Sequence, residues 1–316
     1  MFVRRHARRI LLVLLGVALT ITFQYVSLKN VMIANNAPIT TTARTTAEIL
    51  LWNSTSWAEW KNFCGGPNQF DSASLQTPAG NLRIFIHDIK ADKWVSGEIK
   101  KHGAWEPDLM KLIYHYMAED KDLNLLDIGS HIGQFSLMAA RMGRMAIAVD
   151  PLLENVLRLC NSIELNNYKS LVKVFYVALS DSRKKVSFVR NTGNIGGTRI
   201  KSVNKTTGTS FNPNIIDTVF LDDILPFIPF NRAFIKMDVE AHENNVLKGS
   251  NNLFATLDIP FVLMEWMQHI NNPTSANEII NFMNLRNYKA YLVNTTNKLL
   301  EFKDYKKWPV NVLWKK

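Results

Sequence analysis

Leu125-Leu126-Asp127-Ile128-Gly129-Ser130-His131-Ile132-Gly133 decides how this chain is read. An apolar run ends in an aspartate, two glycines follow four positions apart, and a helix-like run, Gln134–Arg141, starts at once. A buried parallel strand passes to a helix in this way, across a tight turn beside a ligand. Glycine permits positive φ and removes the Cβ where a ligand must approach the backbone. The new helix offers free N–H groups and the positive end of its dipole. The turn is therefore the expected cofactor site.

Outward from it, short apolar runs recur at 123–127, 145–150, 172–179, 233–238 and 260–265, with helical patterns between most of them. Before the turn, 82–86 reads as a strand, and Leu109, Leu112, Ile113 and Tyr116 give 107–117 helical spacing. After it, 288–293 and 310–314 read as a terminal hairpin. Buried runs alternating with helices predict a parallel sheet covered on both faces. The expected fold is α/β: a doubly wound, mostly parallel, seven-stranded Rossmann-like sheet. The long gap 180–232, with Asn194-Ile195-Gly196-Gly197-Thr198 inside it, reads as extra strands and a loop inserted beside the site. Hydrophobic residues make up 47% of the 316 and charged residues 20%, which supports a real core rather than disorder.

The amino-terminal end is of another kind. Arg4, Arg5, Arg8 and Arg9 carry four of the ten net positive charges, leaving 10 − 4 = +6 for the remainder. So mild an excess predicts no nucleic-acid partner. Residues 10–28 form an uncharged, mostly apolar run whose length, at ~1.5 Å per residue, is about 28 Å, close to the ~30 Å of bilayer hydrocarbon. Arginines before it place the tip in the cytosol and residues 29 onward across the membrane. The expected organisation is a cytosolic tip (1–9), a signal anchor (10–28), a stalk and extension (29–80), and a lumenal domain (81–316). A cleaved signal is the alternative. The pattern predicts a single-pass type II protein of the Golgi or endoplasmic reticulum, with Asn53, Asn204 and Asn294 in glycosylation triplets. Leu50, Leu51, Trp57 and Trp60 suggest a short helix over 47–63. Cys160 falls on an apolar helical stripe and reads as a buried thiol, while pairing with Cys64 stays open.

Several strand ends are acidic: Asp127, Asp150, Asp238 and Glu265, with Asp181 after the third strand. Ligands in doubly wound sheets lie beyond the carboxyl ends of the strands. Helix capping explains any one of these acids, but less easily the set. Asp150 follows Asp127 by 23 positions, the spacing at which an acid reaches ribose hydroxyls. The glycine fingerprint for a pyrophosphate is absent. The ligand read from these residues carries adenosine without a diphosphate.

These residues, with Ala148-Val149-Asp150-Pro151, Ala178-Leu179-Ser180-Asp181, Leu221-Asp222-Asp223, Ile235-Lys236-Met237-Asp238-Val239-Glu240-Ala241-His242-Glu243 and Val246-Leu247-Lys248-Gly249, resemble the FkbM-type S-adenosylmethionine-dependent methyltransferases. The resemblance covers roughly 81–316, and the Lys-x-Asp-x-Glu-x-x-Glu block is its most specific part. It implies that Asp127, Gly129 and Gly133 line the methionine end of S-adenosyl-L-methionine, that Asp150 holds the ribose, and that Asp181 lies near the adenine. It implies that Lys236, Asp238, Glu240, His242 and Glu243 face the transferring methyl group. Ala241 stands where the family usually has glycine, and His131 where a small residue or Asn is common.

Within the block, His242 is the candidate general base at neutral pH. Asp238 and Glu240 are placed to orient an acceptor hydroxyl, and share a face with His242 if the chain stays extended. No metal is expected, because hard cations want more oxygen ligands than the block supplies. Trp94, Trp105, Trp266 and Trp308 are candidates to stack on a sugar, Trp266 first, because it follows the fifth strand directly. The expected activity is O-methylation of a hydroxyl, that of a glycan or glycoconjugate in the secretory pathway. A lipid or small-molecule acceptor is the alternative, and so is a membrane-anchored binding domain without catalysis. A nucleic acid methylase is disfavoured, since Asp238 is followed by Val-Glu-Ala rather than by two prolines and an aromatic residue.

Overall fold

The computed structural model describes residues 47–60, 64, 70–203, 212, 214–293 and 298–316. The expected basic tip, the membrane anchor, the stalk up to residue 46, Asn204 and Asn294 lie outside them. Among the described residues no helix is long and apolar enough to cross a membrane.

The described residues open with four strands, β1 (Glu48–Trp52), β2 (Trp57–Glu59), β3 (Ser72–Leu75) and β4 (Leu82–Phe85). Two helices follow, α1 (Val95–His102) and α2 (Pro107–Glu119). Then strands and helices alternate: β5 (Asn124–Ile128), α3 (Gln134–Arg141), β6 (Ala146–Asp150), α4 (Leu153–Leu165) and β7 (Val172–Tyr176). The inserted stretch holds β8 (Ala178–Leu179), β9 (Lys185–Asn191), β10 (Asn194–Ser202) and β11 (Ile215–Val219). The last part runs β12 (Arg232–Met237), α5 (Glu243–Lys248), α6 (Asn251–Thr256), β13 (Asp258–Glu265), α7 (Pro273–Asn284), β14 (Lys289–Leu292) and β15 (Asn311–Lys315).

The main sheet has the order β14-β15-β13-β12-β5-β6-β7-β1-β2. From β13 across to β1 every pairing is parallel, and β15 and β14 close one side antiparallel. The order runs outward from β5 in both directions, so the switch point lies between β5 and β12, where a crevice opens.

Alternation along the strands divides the core into two layers. Leu125, Ala146, Ala148, Val174 and Phe234 face one layer, with Ile113 of α2, Met138 of α3 and Val156 of α4. Leu126, Ile128, Ile147, Val149, Ile235 and Met237 face the other, with Val246 of α5, Leu253 of α6 and Ile279 of α7. Asp127 and Lys236 share the parity of the first set and therefore lie on the α3 side.

Four expectations are corrected. The sheet has nine described strands rather than seven, because β1 and β2 add to the edge at β7. For the same reason the described part of the helix expected over 47–63, residues 47–60, is not helical: Ile49 and Leu50 are buried in a strand register with β7, and Trp57 packs edge-on against Phe175 and Phe227. This covers an otherwise open sheet edge. Cys160 is not a free thiol. It is bonded to Cys64, with the two Cα atoms 5.5 Å apart. Trp266 and Trp308 do not face a ligand: Trp266 is fully buried among Trp308, Trp314 and Tyr305, so both serve the core.

The insertion forms a second sheet, order β10-β9-β11-β8. Its β9–β10 hairpin has a register break between Asn194 and Arg199, at the glycine pair.

Candidate active site

The turn after β5 is built by its glycines. Gly129 has φ +78°, and a Cβ there would overlap the carbonyl oxygen of Asp238 on the neighbouring strand end. Gly133, at φ +86°, precedes α3, and a Cβ there would overlap the side chain of Leu159 in α4. Between them Ser130 is 3% exposed, and its Oγ has no partner among the described residues. His131 takes φ +50°, and neither of its ring nitrogens has a hydrogen-bond partner among them, Nε2 lying 3.9 Å from Asp92 Oδ2. Burial and the Lys236 charge push its pKa down to about 3, so the ring is neutral.

Asp127 ties the turn to α3. Its Oδ2 accepts from the backbone N–H of Ser136 at 3.1 Å and from its hydroxyl at 2.6 Å. Asp127 is fully buried and its carboxyl pKa is raised by that burial. It supports the turn from below and is not on the cavity wall.

Asp150, at the end of β6, accepts the His131 N–H on Oδ2 at 2.8 Å. Its Oδ1 accepts from the Leu152 N–H at 2.8 Å and from the Asn155 amide at 3.0 Å. Burial raises its pKa to about 7. Asn155 Oδ1 accepts in turn from His87 Nε2 at 2.7 Å, whose pKa burial lowers to about 4.

Gly129, Gly133 and Asp150 all line one cavity of about 690 Å³. That lies within the ~300–1,000 Å³ typical of small-molecule sites. The cavity-lining glycine turn, the Ser130 hydroxyl, which has no partner among the described residues, and the strand-end carboxylate of Asp150 fit a nucleoside-like cofactor. Asp181 is not on the wall. Its Oδ1 accepts from the hydroxyls of Ser180 and Ser182, and the wall near β8 is made by Val177, Ala178 and Leu179.

The far end of the cavity is acidic. Asp238 follows β12, with its N–H donating to the Ile128 carbonyl at 3.0 Å. Glu240 and Ala241 then take φ +55° and +74°. These two left-handed residues end the strand alternation, so the expected shared face of Asp238, Glu240 and His242 does not form by parity. Instead Asp238 and Glu240 meet Glu265 from the end of β13, with carboxylate oxygens within 4.8 Å of one another. Oxygens so close can converge on a cation, and Lys236 already supplies one: its Nζ is 3.3 Å from Asp238 Oδ2 and donates to Gly129 O at 2.8 Å. Burial lowers the Lys236 pKa, but Asp238, Asp127 and Glu106 outweigh it and the net shift is upward.

Burial raises Glu240 to about 7, helped by Asp238 and Glu243. Burial raises Glu265 to about 9, helped by Asp238, Glu240 and Glu243. The Glu265 Oε2 has no partner among the described residues. Glu106, which precedes α2, reaches the same wall and accepts from Asn311 at 3.3 Å.

His242 lines the cavity at the N-terminus of α5. The Asn245 amide donates to its Nδ1 at 3.0 Å, which leaves Nε2–H to donate to Ser180 Oγ at 2.9 Å. Burial, followed by Lys184, lowers its pKa and keeps the ring neutral. Both nitrogens are engaged. Glu243 is fully buried, holding the Val239 N–H at 2.8 Å and His269 Nε2 at 2.9 Å. It fixes the loop rather than facing a ligand.

Glu106, Ser130 and Asn155 carry site functions that sequence reasoning missed. A Glu-Pro pair at a helix start is the only trace of Glu106, and it resembles a cap. Glu265 was visible as a strand-end acid, but not as a partner of Asp238 and Glu240.

The raised carboxyl of Glu265 has a stability consequence. A carboxyl whose folded pKa lies above its ordinary ~4.3 favours the folded state at low pH, and loses that contribution as pH rises through the folded value. The free protein is therefore expected to lose thermal stability between about pH 4 and the Glu265 value of about 9. In Glu265→Gln the decline should be shallower and the midpoint at pH 9 higher, as read by scanning calorimetry. An unchanged pH dependence would contradict the raised carboxyl that burial, helped by its acidic neighbours, gives Glu265.

Residues 127–290, more than half of the chain, match the methyltransferase FkbM domain family. No curated protein matches the chain. Among solved structures, the precorrin-6y C5,15-methyltransferase of Geobacter metallireducens GS-15 is similar over 65% of this chain and 85% of its own, at 10% identity and TM-score 0.33. The T. thermophilus 16S rRNA N2 G1207 methyltransferase, solved with AdoMet and guanosine, is similar over 79% of this chain and 51% of its own, at 12% identity and TM-score 0.39. The Pyrococcus abyssi tRNA (uracil-54, C5)-methyltransferase, solved with S-adenosyl-L-homocysteine, is similar over 78% and 44%, at 11% identity and TM-score 0.36. This chain thus spans about half the length of the last two. At such scores these likenesses add no weight to the family match.

Proposed function

This chain belongs to the FkbM methyltransferase family and uses S-adenosylmethionine, and from that premise we propose that it methylates a hydroxyl of a glycan or glycoconjugate in the lumen of the secretory pathway. The observation that carries the reading is one cavity that joins the glycine turn and Asp150 at one end to Asp238, Glu240 and Glu265 at the other. S-adenosylmethionine supplies a methyl group made electrophilic by its sulfonium. Asp150 would accept the ribose hydroxyls, Gly129 and Gly133 would leave room for the methionine end, and Ser130 would offer a hydroxyl to it.

Transfer needs an acceptor oxygen aligned behind the methyl carbon, and much of the acceleration comes from that alignment. A hydroxyl that took the methyl group, with the sulfur keeping the electron pair, would give up its proton to a carboxylate at this end of the cavity. Asp238 and Glu240 are assigned this work, a contribution of about 10²–10⁴-fold for general-base catalysis. His242 is assigned a positioning role, since neither of its nitrogens is free to take a proton.

The lumenal location is supported by three features. Arginines precede the apolar run 10–28, Asn53 is exposed, and Cys64–Cys160 is a bond of the kind that persists in oxidising compartments.

The test is calorimetric titration of the full chain with S-adenosylmethionine, alongside Asp150→Ala. Losing charge-assisted bonds worth about 1.5–3 kcal/mol should weaken binding roughly 10- to 150-fold. Labelled methyl should then pass to a neutral glycan. No cofactor binding by the wild type overturns the enzyme reading, whereas binding without transfer to any glycan overturns only the acceptor.

A further inference from the structure

Three separate segments bring four carboxylates to one end of the cavity: Glu106 before α2, Asp238 and Glu240 after β12, and Glu265 at the end of β13. Lys236 lies beneath them, 6% exposed, with its ammonium committed to Gly129 O and Asp238. Arg199 reaches the same wall from β10, and its guanidinium donates to Gln268 at 2.7 Å. A ligand carrying a carboxylate, sulfate or phosphate here would add a further negative charge beside Asp238, whose counter-ion Lys236 is already engaged, while Arg199 donates to the neutral Gln268 amide. At short range in a partly buried site that repulsion is strong, and like-charge juxtaposition is how interfaces reject wrong ligands.

Hydroxyls meet the opposite situation. Ionised carboxylates only accept hydrogen bonds, and hydroxyls donate them. Such charge-assisted bonds are the stronger kind. Glu265 Oε2 is buried without a partner among the described residues and is open to such a donor. Burial pushes Glu265 to about 9 and Glu240 to about 7, so near neutrality the cluster also holds protons to donate. A set that accepts and donates matches a row of hydroxyls, which do both.

The same cavity carries an aromatic wall. Trp94 is 55% exposed, and its ring centroid lies 6.3 Å from that of the half-buried Trp105. Both line the cavity. An indole left this open offers a face for the C–H side of a sugar ring.

We propose that the acceptor subsite selects an uncharged sugar, bound by its hydroxyls to Glu106, Asp238, Glu240 and Glu265 and stacked on Trp94, and that it rejects uronates and sulfated or phosphorylated sugars. This rests on the hydroxyl-directed reading above. The test uses the full chain loaded with S-adenosylhomocysteine and a panel of methyl hexosides, each paired with its methyl uronide, followed by saturation-transfer NMR. At least one hexoside should bind tenfold or more tightly than its uronide. Asp238→Asn should narrow that gap by about tenfold, and Trp94→Ala should lose hexoside binding while retaining S-adenosylhomocysteine. A uronide that binds as tightly as its hexoside overturns the proposal. So does a loaded protein that binds no hexoside, and in that case the methyl-donor reading still stands. That reading fails separately, if S-adenosylhomocysteine itself does not bind.

Discussion

Gly129→Ala is expected to abolish cofactor binding and to destabilise the fold by about 2–5 kcal/mol, adding ~1–2 for a left-handed L-residue to ~1–3 for overpacking. The added methyl would overlap Asp238 O, and the two strand ends cannot separate cheaply. Asp238 N–H is bonded to Ile128 O at 3.0 Å and Lys236 is bonded to Gly129 O at 2.8 Å. Relief would have to come from moving the turn itself, which is the cofactor's seat. Gly143 provides the control. It has φ +74° but nothing within 4 Å of an added Cβ, so Gly143→Ala should show the backbone cost alone. Thermal unfolding and S-adenosylmethionine calorimetry read both variants. If Gly129→Ala loses no more than Gly143→Ala, the close approach of the two strand ends is not what requires glycine.

Lys236→Met should be the most damaging change at the other end of the cavity. Lys236 is the buried cation that Asp238, Asp127 and Glu106 all stabilise. Removing one partner of a buried ion pair costs about 3–5 kcal/mol, because the remaining charge is left uncompensated. Here several carboxylates lose their common partner, and Gly129 O loses its donor. Turnover is expected to fall by about 100-fold or more, the lower end of the general-base contribution. The pH profile adds a separate signature. Lys236 lowers the pKa values of Glu240 and Glu265, so without it both rise further. The acidic limb of the rate profile should move to higher pH. A variant that is slower but keeps the wild-type limb would contradict the assigned electrostatic role.

How far the chain was legible depends on how local each feature is. The turn from Asp127 to Gly133 was readable because strand, glycines and helix start are consecutive, and φ +78° and +86° fall on the two glycines. Asp150 was readable because one βα unit fixes its distance from the turn. The meeting of Glu106 and Glu265 with Asp238 was not, since it depends on three segments brought together by strand order. Trp266 reads as the first candidate for a ligand because it follows β13, yet it points into a cluster formed with Trp308 and Trp314. Leu50, Leu51, Trp57 and Trp60 have a helical look in isolation, but pairing with β7 overrides that local pattern. The Glu240–Ala241 pair breaks the alternation on which the expected face of His242 depends.

The Cys64–Cys160 bridge has a mechanical consequence. It joins residues 96 positions apart, and the enclosed segment holds the glycine turn and Asp150, while Asp238 and Glu265 lie outside it. Tension applied to the two ends of the chain runs through the bridge and bypasses that segment. At ~3.3–3.6 Å per residue, roughly 320–350 Å of contour is withheld from extension. Pulled apart, the protein releases Asp238, Glu240 and Glu265, while the donor half of the cavity, with Glu106 and Trp94, stays in a closed ring.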